Sequence, residues 1–127
     1  MDAVEYRTAA QFRAALRLFL RKSEVAARAA GLTPRQRLLL LQIAGSEGGS
    51  TTVSELVETL ALTQSAVTEL VQRAEAAGLV RRAGSPSDGR VVDLSLTPEG
   101  AVRLRRVHDA LGPERAELRR MIDALED

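Results

Sequence analysis

The sequence predicts a mainly α-helical fold with one small β-hairpin. Three observations predict it. Apolar residues make up 45% of the chain, dominated by Ala and Leu, while only Tyr6, Phe12 and Phe19 are aromatic; this favours helices over sheets. Thr33, Thr52, Thr63 and Thr97 each stand where a helix cap is needed. The apolar period is helical along most of the chain and changes to two only over 80–96. A length of 127 residues fits one domain with a single core. Gly and Pro divide it into six helices and one hairpin, without internal repeats or low-complexity tracts.

Residues 3–29 read as a long first helix. Phe12, Leu16 and Phe19 fall at helical spacing, and Leu18, Leu20 and Val25 widen the apolar surface. A surface helix buries one stripe of roughly 100°, so the wider surface predicts contacts on two sides, its own domain and a partner chain. Gly31 ends this helix. Thr33-Pro34-Arg35-Gln36 opens the second, with Pro34 suited to the first helical position and Gln36 completing a capping box. The run Leu38 to Leu41, then Ile43, predicts heavy burial, and 45–50 reads as a loop.

Thr52 and Glu55 predict a second capping box. Val53, Leu56, Val57 and Leu60 follow at i, i+3, i+4, i+7, giving a short amphipathic helix over 52–60. Thr63 caps the next helix, 63–77, where Val67, Leu70, Val71 and Ala74 repeat that spacing. Gly78 fits the position just past its end, with Leu79 packing back over it. Val80 to Ala83 is one strand, and Val92, Leu94 and Leu96 alternate along the return strand. Residues 84–89, Gly-Ser-Pro-Ser-Asp-Gly, form the turn between them. Thr97-Pro98 starts another helix, with Leu104, Val107 and Leu111 on one face. Gly112-Pro113 breaks it, and a last helix carries Leu118, Met121, Ile122 and Leu125.

Composition excludes several kinds of chemistry. The chain has no cysteine and one histidine, His108, which removes disulfides, thiol nucleophiles and any multi-histidine metal site within one chain. No catalytic triad or phosphate-binding glycine loop is present, so no enzyme and no cofactor are expected. No apolar run reaches the roughly 20 residues needed to cross a bilayer, and the first residues lack the layout of a signal peptide. A cytoplasmic protein without membrane contact is expected. Net charge is only +1, so any surface for nucleic acid must be locally basic. Lys22 is the single lysine; the other basic residues are Arg, suited to bidentate contacts with phosphate or guanine.

Two short helices, a tight turn and an apolar seam between them describe a helix-turn-helix, and the basic hairpin that follows at once completes a winged helix-turn-helix. On the second helix Ser65, Thr68, Glu69 and Gln72 lie opposite the apolar stripe, joined by Gln64 and Arg73. Such a polar face suits base edges in the major groove, although a solvated helix surface has the same pattern. The hairpin carries Arg81, Arg82 and Arg90, with Asp88 near its tip, as a wing lying along the DNA backbone requires.

The stretch Thr63 to Gly100 resembles the MarR family of winged-helix regulators. The matching pieces are Gly78-Leu79-Val80, Asp88-Gly89-Arg90, and Leu94-Ser95-Leu96-Thr97-Pro98-Glu99-Gly100, with Leu32-Thr33-Pro34 upstream. The resemblance implies one domain over 1–127. Residues 1–30 and 98–127 would form dimerisation helices, and 33–97 the DNA-binding region. It implies a homodimer on a pseudo-palindromic operator in double-stranded DNA, acting as a repressor and released by a small-molecule effector. Thr63, Gln64, Ser65, Thr68, Gln72 and Arg73 would belong to the recognition helix, and Arg82, Asp88 and Arg90 to the wing, with Asp88 holding Arg90. The alternative is a winged helix used only for contact with another protein.

The chain departs from the family pattern at three places. Glu69 stands where many relatives are basic; it can salt-bridge Arg73 at i+4 or accept from cytosine N4. Gly89 stands where a second Arg is common, and the last helix is short. Arg13, Arg17 and Arg21 form a stripe on the first helix that reads as a solvated face. Arg35 and Arg37 lie near the start of the second helix, within reach of phosphate. Core or partner packing accounts for Phe12 and Phe19, and an ordinary helix-surface role for His108.

Overall fold

Threonine caps set the helix starts. In the computed structural model, which describes residues 2–84 and 90–126, Thr33, Thr52, Thr63 and Thr97 each accept a backbone N–H three residues on through Oγ1. In chain order the elements are α1 (Ala3–Ala29), α2 (Pro34–Ala44), a 3₁₀ turn (Glu47–Gly49), β1 (Ser50–Thr51), α3 (Val53–Leu60), α4 (Gln64–Ala76), β2 (Val80–Gly84), β3 (Val92–Leu96), α5 (Pro98–Ala110) and α6 (Gly112–Glu126), and the four threonines cap α2, α3, α4 and α5. The mainly helical fold with its small β wing is as the sequence predicts.

Thr33 and Gln36 form the full reciprocal box, at 3.1 and 3.0 Å. The box predicted at Thr52 and Glu55 is only half formed. Glu55 N–H donates to Thr52 Oγ1, but the Glu55 carboxylate accepts from Thr51 Oγ1 at 2.6 Å. Thr51 is buried, and a buried hydroxyl needs a partner more than an exposed cap N–H does.

Two helices end in the same device. After α1, Gly31 takes φ +78°, Leu32 N–H donates to Ala27 O and Gly31 N–H to Arg28 O. After α4, Gly78 takes φ +76°, Leu79 N–H donates to Ala74 O at 2.9 Å and Gly78 N–H to Glu75 O. Each is a Schellman closure, in which a glycine reverses the chain and the next apolar residue folds back into the core. Leu32 and Leu79 are both buried.

The loop expected at 45–50 contains the 3₁₀ turn and the start of β1. The expected two-stranded hairpin is accordingly a three-stranded antiparallel sheet, ordered β1-β3-β2. Ser50 pairs with Ser95 and Thr51 with Leu94; on the other side Val80 pairs with Leu96 and Arg82 with Leu94. The turn residues 85–89, including Asp88, lie outside the described residues.

One core holds the fold. Ala27 and Leu32 meet Leu39, Leu40 and Ile43 of α2, Leu56 of α3, Val67, Val71 and Ala74 of α4, Leu79, Leu94, and Val107 of α5. Leu38 and Leu41, expected inside, are exposed: four leucines in a row cannot all face one side of a helix. Beyond the core, α1 packs along α6. Val4, Tyr6, Leu16, Leu18, Leu20 and Val25 of α1 remain exposed on the single chain. No described helix is long and apolar enough to cross a membrane.

Candidate nucleic-acid interface

The turn between α3 and α4 is Ala61-Leu62-Thr63. Ala61 has φ +54°, the one left-handed non-glycine among the described residues. This conformation reverses the chain so sharply that α3 and α4 pack together at once. Thr63 Oγ1 then accepts Ala66 N–H at 3.1 Å and starts α4.

Val67, Val71 and Ala74 point inward and are fully buried. At about 100° per residue, Ser65, Glu69, Gln72 and Ala76 then project directly away from the core. Gln64, Ser65, Glu69, Gln72 and Arg73 are exposed, and Thr68 is half-buried on the flank. The structure brings Ser65, Glu69 and Gln72 together on one accessible face, with Thr68 and Arg73 on its two flanks and Gln64 turned to the side in the first turn. Within it the Glu69 carboxylate accepts from Arg73 Nη2 at 2.6 Å, an i, i+4 pair, as one of the two readings of Glu69 anticipates. Arg35, at the start of α2, lies beside Glu69 and Arg73 across a shallow recess.

Strand parity sorts the wing arginines. Val80 and Arg82 share the core-facing side of the sheet with Leu94 and Leu96. Arg82 therefore covers the core edge and donates through Nε to Glu75 on α4 at 3.0 Å. Arg81 faces outward with Ser95 and donates to its Oγ at 3.3 Å. The period-two pattern could have separated these two arginines beforehand. Arg90 is exposed at the start of the return segment. Its proposed holder, Asp88, lies outside the described residues.

Behind this surface the sheet joins α5 through backbone. Thr97 Oγ1 donates to Gly78 O at 2.6 Å and accepts Gly100 N–H at 3.0 Å, while Thr97 N–H donates to Leu79 O. A Cβ on Gly100 would stand 2.2 Å from Leu79 O. Arg103 then ties α5 to α1, donating to Gly31 O at 3.0 Å and to Glu99 at 2.8 Å. That hydrogen bond holds the Glu99 carboxyl below its ordinary range. Lys22 does the same for Glu114, across α1 and α6.

A cavity of about 280 Å³ opens between α2, β3 and α5, lined by Arg37, Leu41, Leu96, Leu104, Arg105 and His108 among others. Burial, and secondarily Arg115, lowers the Arg37 pKa. Its Nε is buried without a hydrogen-bond partner among the described residues. Tyr6, Phe12 and Phe19 do not line this cavity; Phe19 packs on the core.

A buried three-helix core, a recognition-type helix after a tight turn and a three-stranded wing define a winged helix-turn-helix protein. The family model for the MarR family matches residues 30–91. The chain is 39% identical over 77 residues to the HTH-type transcriptional repressor MdtR of Bacillus subtilis; the match covers 61% of this chain and about half, 48%, of that relative. The fold superposes on the YusO protein of Bacillus subtilis with a TM-score of 0.66 at 28% identity, covering 98% of this chain and 86% of that one. It also superposes on a mutant MarR of E. coli complexed with operator DNA, with a TM-score of 0.69, covering 93% and 85%; at 23% identity that likeness speaks to the fold alone. Residues 30–91, just under half of the chain, are thus similar to the MarR family.

Proposed function

We propose that the protein is a sequence-specific transcriptional repressor. It acts as a homodimer on a pseudo-palindromic operator, with residues 33–97 binding DNA and residues 1–30 and 98–127 pairing the two chains. The observation that carries this reading is the outward face of α4, where Ser65, Glu69 and Gln72 stand opposite the buried stripe and beside the wing. Thr63, Gln64, Ser65, Thr68 and Gln72 position or read bases. Arg90 lies along the backbone, Arg82 buttresses the wing through Glu75, and Arg73 flanks the outward face beside Glu69. Support for the dimer is the exposed apolar surface of α1, left over after its own core is satisfied. Two recognition helices in successive major grooves would stand about 34–36 Å apart. An effector with an apolar body and an anionic group suits the cavity beside Arg37, Arg105 and His108, from which it would shift that spacing.

A second reading, contact with a protein instead of DNA, draws on the low net charge of +1 and on two Glu–Arg pairs that consume basic charge on α4 and the wing. Fluorescence anisotropy with duplexes tiled across DNA flanking the gene, at two salt concentrations, decides between them. The expected result is tight binding to one pseudo-palindromic tile, with log affinity falling by about 0.9 per phosphate contacted for each decade of salt. Arg90→Ala should weaken that binding and lower the salt slope by about one. Binding that never exceeds the non-specific level, even at low salt, favours the protein partner.

A further inference from the structure

We infer that Glu69 is a base-reading residue, accepting a hydrogen bond from the 4-amino group of a cytosine, with Arg73 as the positioning residue that aims and neutralises its carboxylate. This rests on the DNA-binding reading above. Glu69 lies at the centre of the outward face of α4, close to diametrically opposite Val67 and Val71. No other residue with an ionised acid occupies that face; Glu75, the other acid of α4, lies on the flank towards the wing.

The two acids have different company. Glu75 bonds Arg82 across elements, with both side chains only about a third exposed at 39% and 36%, and so buttresses the wing on the helix. Glu69 bonds Arg73 within α4, with the side chains 62% and 73% exposed, and joins α4 to no other element through that pair. An exposed i, i+4 pair adds little to stability, so the fold does not account for an acid here. An unpaired carboxylate facing the groove would be repelled by phosphate. The Arg73 guanidinium at 2.6 Å removes that penalty while leaving the second carboxylate oxygen available to accept.

The chemistry then selects the base. An ionised carboxylate only accepts. In the major groove cytosine offers its N4 amino donor, whereas adenine sets its N6 amino group beside the N7 acceptor, which a carboxylate disfavours and an amide matches. Guanine presents two acceptors and thymine one, together with its methyl group.

The test is selection from a randomised duplex library with wild type, Glu69→Gln, Glu69→Ala, Arg73→Ala and Arg73→Lys, followed by anisotropy on the enriched sites. Wild type should enrich a motif with one required cytosine per half-site, preferred about tenfold or more over other bases. Glu69→Gln should move that position to adenine and keep the rest of the motif. Glu69→Ala should lose the preference at that position alone. Arg73→Ala should weaken binding to the motif and erode the cytosine preference at that one position, and Arg73→Lys, which keeps the charge, should restore the preference. An unchanged motif with Glu69→Ala overturns the base-reading role, and an undiminished cytosine preference with Arg73→Ala overturns the positioning role. Wild type enriching no motif at all would instead bring down the DNA-binding reading, and this inference with it.

Discussion

Replacing Gly100 by alanine should pry α5 away from the closure of α4. The new Cβ would stand 2.2 Å from Leu79 O, 3.1 Å from Leu79 C and 3.3 Å from Leu79 Cα, all backbone atoms that cannot rotate aside. Ordinary C···O approach is roughly 3.3–3.6 Å, so helix and strand end must part by about 1 Å. That movement strains two hydrogen bonds, Thr97 N–H to Leu79 O at 3.0 Å and Thr97 Oγ1 to Gly78 O at 2.6 Å. Overpacking costs about 1–3 kcal/mol, and each hydrogen bond contributes about 1 kcal/mol. Alanine returns up to about 1 kcal/mol through helix propensity. The net expectation is a loss of about 2–4 kcal/mol. For a chain of this size that is a drop in Tm on the order of 10 °C. Thermal unfolding followed by circular dichroism at matched protein concentration measures it, since self-association makes Tm depend on concentration. A Tm that rises, or falls by less than about 3 °C, would refute the close-contact argument.

Two further outcomes follow from the geometry. Ala61→Gly should stabilise the protein by about 0.5–1 kcal/mol, because the left-handed residue at φ +54° loses its Cβ strain of about 1–2 kcal/mol against the backbone entropy that glycine adds; urea denaturation reads the change, and a destabilised variant would show the turn unstrained. Glu99 and Glu114 have carboxyl pKa values held below the ordinary 4.5 by Arg103 and Lys22, so their contribution is present at neutral pH and is lost as pH falls from about 4.5 through the lower folded values. Stability against urea measured from pH 6 to pH 3 should decline across that window, and Arg103→Ala with Lys22→Ala should flatten the decline.

The helix-turn-helix was legible because caps and apolar spacing agree there: Thr63 begins α4, Gly78 ends it, and Val67, Val71 and Ala74 fall inward as their spacing requires. β1 was not legible, because a two-residue strand, Ser50–Thr51, has no room for an alternating pattern. The four-leucine run of α2 gave no period, so burial could not be divided between Leu39 and Leu40 inside and Leu38 and Leu41 outside. Among the interface residues, the exposed polar face of α4 could be read from helical spacing. The engagement of Arg82 with Glu75 could not, since it joins a strand to a helix across the fold. Glu55 shows the same limit: its carboxylate goes to the buried Thr51 hydroxyl, a demand set by tertiary burial.

The contact at Gly100 also has a mechanical meaning. Most neighbouring elements in a protein meet through side chains, which yield by changing rotamer. Here the first turn of α5 bears directly on the carbonyl that follows the closure of α4, with no side chain between them. The joint is therefore stiff, and α5 is a lever arm with its fulcrum next to the end of α4. The arm spans 13 residues, roughly 20 Å at 1.5 Å per residue. A tilt of about 5° about that joint displaces the far end by less than about 2 Å. Small repacking along α5 thus meets no side chain that could absorb it before the closure of α4.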